Sequence, residues 1–173
     1  MRDCSAREQQ QEIFGMYDLL LPTVLFSGRR MRPSMRINDE YTYRMKLVEG
    51  FLSEARQDLE LSRWRSCVDN SQLIVENSAK AALALVGPVG HTHAPDIPLR
   101  QALVRGAFPA EVHEIVRQLV DKAELLGADV HAKSDYGDTV LGRTPWEIFD
   151  ESAAKRALQM AEEAAHLARQ LAD

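Results

Sequence analysis

Apolar residues separated by three and four positions recur along most of this 173-residue chain, and no stretch alternates apolar with polar. That spacing returns side chains to one face of a 3.6-residue turn, so each run makes a helix whose greasy side must find a partner. Between Asp39 and Ser62 the set is Met45, Val48, Leu52, Ala55 and Leu59. From Arg65 to Val86 one face carries Cys67, Ser71, Ile74, Ser78, Ala81 and Leu85, small enough to let a neighbour approach closely, before Gly87-Pro88 ends the element. Asp96 is placed to cap a short helix running to Arg105. A longer helix follows with Val112, Ile115, Val116, Leu119, Val120, Ala123 and Leu126 on its stripe, and Gly127 is expected in the left-handed turn after it. The last helix is expected to start at Thr144, Pro145 and Glu147 and to run without interruption through Phe149, Ala153, Ala157, Met160, Ala164, Leu167 and Leu171. Four long helices and no strand pattern make an all-α chain, an antiparallel up-and-down bundle of four or five helices.

Two regions are expected. Residues 1–38 form an N-terminal helical extension: Ser5 and Glu8 are spaced as a capping box, and Ile13, Met16, Tyr17 and Leu20 recur at helical intervals up to Pro22. An Arg-rich linker with Gly28 and Pro33 then leads to a bundle over residues 39–173. A body of this size needs neither disulfide nor metal to hold together, and Cys4 and Cys67 have no paired or metal-ligand spacing.

Charge excludes one class of partner. The first 36 residues hold six Arg against four acids, while the rest hold 15 basic and 22 acidic residues. An acidic body lacks the continuous basic face that duplex DNA requires, although a local pocket can still take a phosphate. The apolar run from Ile13 to Phe26 is interrupted by Asp18 and Pro22, short of the ~20 apolar residues of a membrane span. It runs into Arg29-Arg30-Met31-Arg32 rather than a small-residue cleavage site, so no membrane association and a cytoplasmic location are expected.

Chemistry concentrates ahead of the last helix. His131, Lys133, Ser134, Asp135, Tyr136, Asp138 and Arg143 read as one polar loop. Lys133 and Arg143 can hold phosphates, Tyr136 can stack on a base, and Asp135 or Asp138 can accept from a sugar hydroxyl or a base amine. With Lys80, placed near the end of the second helix, these are the candidate nucleotide-binding residues. The plainer reading has Ser134 and Asp138 satisfying turn amides, Tyr136 covering the bundle end, and Lys80, Lys133 and Arg143 carrying solvated charge. His91-Thr92-His93 with Asp96 has the look of a metal fragment, but a zinc site needs three or four ligands and only His131 is available as another. Neither metal nor cofactor is expected. Trp64 and Trp146 open helices and are expected to pack as anchors.

The order of Phe51-Leu-Ser-Glu-Ala-Arg-Gln-Asp-Leu59, Asn77-Ser-Ala-Lys-Ala-Ala-Leu83, a Gly-Pro break, a His-containing loop, a Tyr-Gly-Asp segment and a closing Thr-Pro-Trp-Glu helix resembles the HEPN domain. The name stands for higher eukaryote and prokaryote nucleotide-binding, and the likeness spans residues 40–172. It implies a bundle commonly paired as a homodimer, in prokaryotic proteins often encoded beside a minimal nucleotidyltransferase, as in toxin–antitoxin pairs. The implied ligand is a nucleotide or single-stranded RNA.

Some branches of that family are metal-independent ribonucleases that carry an Arg and, a few residues on, a His. There the Arg holds a phosphate oxygen and the His moves a proton. This chain departs from the pattern. Its nearest pair, Arg105 and His113, has seven residues between and falls across Gly106 and Pro109, while Asp135 stands before Tyr136 where many relatives have Arg. A carboxylate there would repel a scissile phosphate. The enzymatic alternative therefore rests on His131 or His93 paired with an Arg of a second subunit. A third reading is a non-catalytic dimeric interaction module that docks a partner through its Arg-rich arm or an exposed stripe.

Overall fold

The computed structural model describes residues 37–172. The expected N-terminal helix and the Arg-rich linker lie outside them. Seven α-helices and one 3-10 turn are found among the described residues: α1 Ile37–Glu60, α2 Trp64–Ala84, α3 Asp96–Val104, the turn Ala110–Val112, α4 His113–Leu125, α5 Ala128–Tyr136, α6 Pro145–Ile148 and α7 Glu151–Gln170. No strand is present among them, and the only β feature is an isolated bridge between Asp138 and Arg143.

The stripes do what their spacing demands. Val48, Leu52 and Ala55 of α1 are buried, with Met45 and Leu59 half-buried at the stripe's ends. The turn between α1 and α2 is three residues long, so the two helices are antiparallel neighbours. Asp58 ties that turn together: it is buried, accepts Asn70 Nδ2 at 2.9 Å, and meets Arg63 at 3.5 Å. Helix α2 is central, packing on α1, α3, α4, α5, α6 and α7. Its alanines and serines permit this: Ser71, Ser78, Ala79, Ala81, Ala82 and Ala84 are all buried. The inner face of α7 is Ala-rich as expected, but it centres on Ala154, Ala157, Ala161, Ala164, Ala165 and Ala168, while Ala153 and Met160 sit at its edge.

Five local expectations are corrected. His131 to Tyr136 do not lie in a loop; they form most of α5, a short helix held by i,i+4 pairs of Lys133 with Asp129 and His131 with Asp135. Gly127 is not left-handed. Its φ of −94° and ψ of −153° are extended, and glycine is required because a Cβ would lie 2.7 Å from the Ala123 carbonyl oxygen. Asp96 makes no cap bond, since the N-cap position of α3 is Pro95 and Asp96 is already in the first turn. The last helix is not continuous. The Thr144 capping box starts only the four-residue α6, the backbone extends at Phe149 and Asp150, and Asp150 then caps α7 by accepting from the Ala153 amide at 2.7 Å. Trp146 is no anchor, being 75% exposed, whereas Trp64 packs against the core.

Candidate functional site

Along one side of α2, Arg65, Asp69, Gln72, Glu76 and Lys80 follow at three- and four-residue steps. Their side chains therefore form a polar file on the helix that most others pack against. The deep end is the tightest part: Lys80 Nζ donates to Glu76 Oε1 at 2.6 Å, both residues are buried, and Gln72 Nε2 donates to Glu76 Oε2 at 3.1 Å. Burial pushes the Glu76 carboxyl up, but the bonds from Lys80 and Gln72 and the charges of Lys80 and His93 outweigh it, so Glu76 titrates below the usual carboxylate range. At neutral pH it is a carboxylate facing a cation.

Two imidazoles close over this pair from different elements. The α2–α3 loop, steadied by Thr92 Oγ1 accepting the Ala94 amide at 3.0 Å, brings His93 Nδ1 to 3.4 Å from Glu76 Oε2. Helix α5 supplies His131, whose ring stacks on that of His93 with centroids 5.3 Å apart and planes 7° from parallel. His131 Nε2 lies 3.8 Å from Asp135 Oδ2, one turn along α5. Asp135 Oδ1 in turn accepts from Arg65 at 3.0 Å, and Arg65 Nε donates to the Ser134 carbonyl at 2.6 Å. The Ser134 hydroxyl is buried and donates to Asp69 Oδ1 at 2.9 Å. The α5 face is thus clamped to the start of α2 by charge-assisted bonds. Two buried atoms of the cluster, Gln72 Oε1 and His131 Nδ1, have no hydrogen-bond partner among the described residues.

Of the candidates taken from sequence, Lys80, His93, His131 and Asp135 come together here. The other three do not join them. Lys133 points to Asp129, its Nζ 2.7 Å from Oδ2, and that bond raises its pKa. Arg143 donates to the Glu147 carbonyl. Tyr136 is 78% exposed and lies five residues from His131, turned to another side of α5. Sequence reasoning missed Glu76, Gln72, Arg65 and Asp69. Their signal was the period itself, a polar repeat on α2 hidden beside the apolar one, with Glu76 and Lys80 at i,i+4. No group of three or more metal-ligating side chains is found among the described residues. No described helix is long and apolar enough to cross a membrane.

An all-helical bundle with a polar rim built by a central helix, a His-bearing loop and a short Tyr-ended helix defines the class of protein. The profile of the HEPN domain matches residues 44–171, and the chain belongs to that family. Neither the curated proteins nor the solved structures yield a match to the chain.

Proposed function

We propose that this HEPN-domain protein binds a nucleotide, free or within a short single-stranded RNA, at the imidazole rim, and that it works as a non-catalytic homodimer beside a nucleotidyltransferase. The observation that carries the ligand is the parallel stack. His93, with its side chain 69% exposed, presents a flat ring to solvent while its inner face rests on His131. Such a ring is a platform for a base, and stacking of this kind contributes ~1–3 kcal/mol per base.

The charges support the base, rather than the phosphate, as the group held. Lys80 is committed to Glu76, Lys133 to Asp129 and Arg65 to Asp135, so few cations of the described residues stand free at this rim. Asp135, whose side chain is part-exposed, is placed to accept from a base amine, while buried Glu76 orients His93. Dimerisation and the nucleotidyltransferase partner are supported by membership of the family.

Thermal unfolding against a panel of nucleotides and short RNAs tests the reading. A ligand at about 100 times its dissociation constant is expected to add ~2.7 kcal/mol of stability, and His93→Ala is expected to abolish most of that gain. No shift with any nucleotide or RNA, or an unchanged shift in His93→Ala, refutes it. Each imidazole faces a carboxylate, an arrangement that also suits proton transfer. RNA cleavage in the presence of chelator, lost in His131→Ala, would replace the binding reading with the ribonuclease one.

A further inference from the structure

The chain's two tryptophans line one cleft at the opposite end of the polar file. This cleft, of about 250 Å³, opens where α6 packs against the start of α2, lined by Trp64, Trp146 and Phe149 with Ser62 and Ser66. Arg63 and Arg65 complete it, and no carboxylate lines it among the described residues, on a chain with a net charge of −5. Arg63 is loosely engaged. Its only acceptor among the described residues is Asp58 Oδ1 at 3.5 Å, and its side chain is 59% exposed. Arg65, by contrast, is held in place by Ser134 and Asp135.

We infer that this cleft is a second binding site, distinct from the imidazole rim, for a small planar aromatic ring bearing an anionic group. The two halves of its lining require both features. A neutral apolar ligand would strip water from the loosely engaged Arg63 guanidinium and offer it no acceptor, while a bare anion would leave the exposed Trp146 face uncovered. A ring between the indoles with a carboxylate or phosphate oxygen on Arg63 satisfies both. The volume limits the ligand, since it lies below the ~300–1,000 Å³ of clefts that hold drug-sized molecules. It suits one ring system with one charged substituent. Aromatic carboxylic acids and nucleoside monophosphates share that chemistry.

Because both tryptophans line the cleft, intrinsic fluorescence reports on it directly. The full chain is titrated with indole-3-acetate and benzoate in one arm and with AMP and UMP in the other, with adenosine and inorganic phosphate as the ring-only and anion-only controls. Saturable quenching is expected in at least one arm, with affinity falling about tenfold or more for the controls, for Trp146→Ala and for Arg63→Gln. The responding arm identifies the natural source. Both substitutions fall on exposed side chains, so folding is expected to survive, and circular dichroism checks it. His93→Ala is expected to leave this titration unchanged, which separates the site from the rim. The inference is overturned by no saturable change at millimolar ligand in either arm, by controls that bind as well as the aryl anions, or by unchanged affinity in the folded Trp146 and Arg63 variants.

Discussion

At the scale of single residues, the Glu76–Lys80 pair decides how the site responds to substitution and to pH. Both groups are buried, and each satisfies the other. Removing one partner from such a pair leaves an uncompensated charge and costs ~3–5 kcal/mol, far more than deleting a surface pair. Lys80→Met is therefore expected to lose about that much stability at pH 7 by denaturant titration, and Glu76→Gln with Lys80→Met to lose less than the sum of the two single changes. The sign with pH follows from Glu76. Its folded pKa lies below its unfolded one, so its contribution is present above the unfolded value of ~4.3 and is lost as pH falls through the folded value. In Lys80→Met, only Gln72 and His93 are left to oppose burial, the carboxyl moves up, and protonation relieves the variant. The stability gap between wild type and variant should be widest at neutral pH and should narrow in acid. A gap that stays constant from pH 7 to the acid limb would show that the pair is not electrostatically coupled.

At the scale of elements, the junction between α5 and α6 sets where the rim sits. Gly137 ends α5 with φ +76° and ψ −159°, a region essentially reserved for glycine, and a Cβ there would come within 2.3 Å of the Arg143 carbonyl oxygen. The close approach exists because Asp138 and Arg143 exchange backbone bonds at 2.8 and 2.9 Å, folding the segment back on itself. Gly137→Ala is expected to cost ~1–3 kcal/mol from the backbone alone, with the clash adding to it. Gly142→Ala is the control: φ is also positive, at +63°, but nothing lies within 4 Å of the added methyl, so the loss should be smaller. Equal stability of the two variants in urea would remove the claim that close approach dictates glycine at position 137. The same junction shows what a sequence discloses and what it hides. Gly127 and the polar residues after it look like a terminator and a loop, because a helix as short and polar as α5 carries no apolar stripe to announce it. The break at Phe149 and Asp150 is hidden for the opposite reason. The apolar period runs straight through it, and only the cap bond that the Ala153 amide donates to Asp150 marks the new start. The long helices were legible since burial of one face is what creates their pattern. The imidazole stack was not, since it joins residues 38 positions apart in sequence, and nothing local specifies their approach.

At the scale of the whole molecule, α2 does two jobs that compete for its surface. Its apolar and small residues carry the packing of six neighbouring helices, while its polar file carries the site. This arrangement couples the site to global stability, because the residues that hold Glu76 and Lys80 in place are the ones the core is built around. Ile74 is the clearest test. It is fully buried at mid-helix, two residues before Glu76, and belongs to the same cluster as Val48, Leu119 and Ala161 from three other helices. Truncating such a side chain removes its transfer energy and leaves a cavity that packed neighbours only partly fill, a loss of ~2–5 kcal/mol. Against a total stability of roughly 5–15 kcal/mol, Ile74→Ala should lower the melting temperature sharply. If α2 joins the bundle into one cooperative unit, far-ultraviolet circular dichroism, which follows all the helices, and tryptophan fluorescence, which follows the start of α2 and α6, should share one midpoint in wild type and one lower midpoint in the variant. Fluorescence that survives beyond the helical transition, or collapses well before it, would mean that the α2–α6 end holds independently of the core.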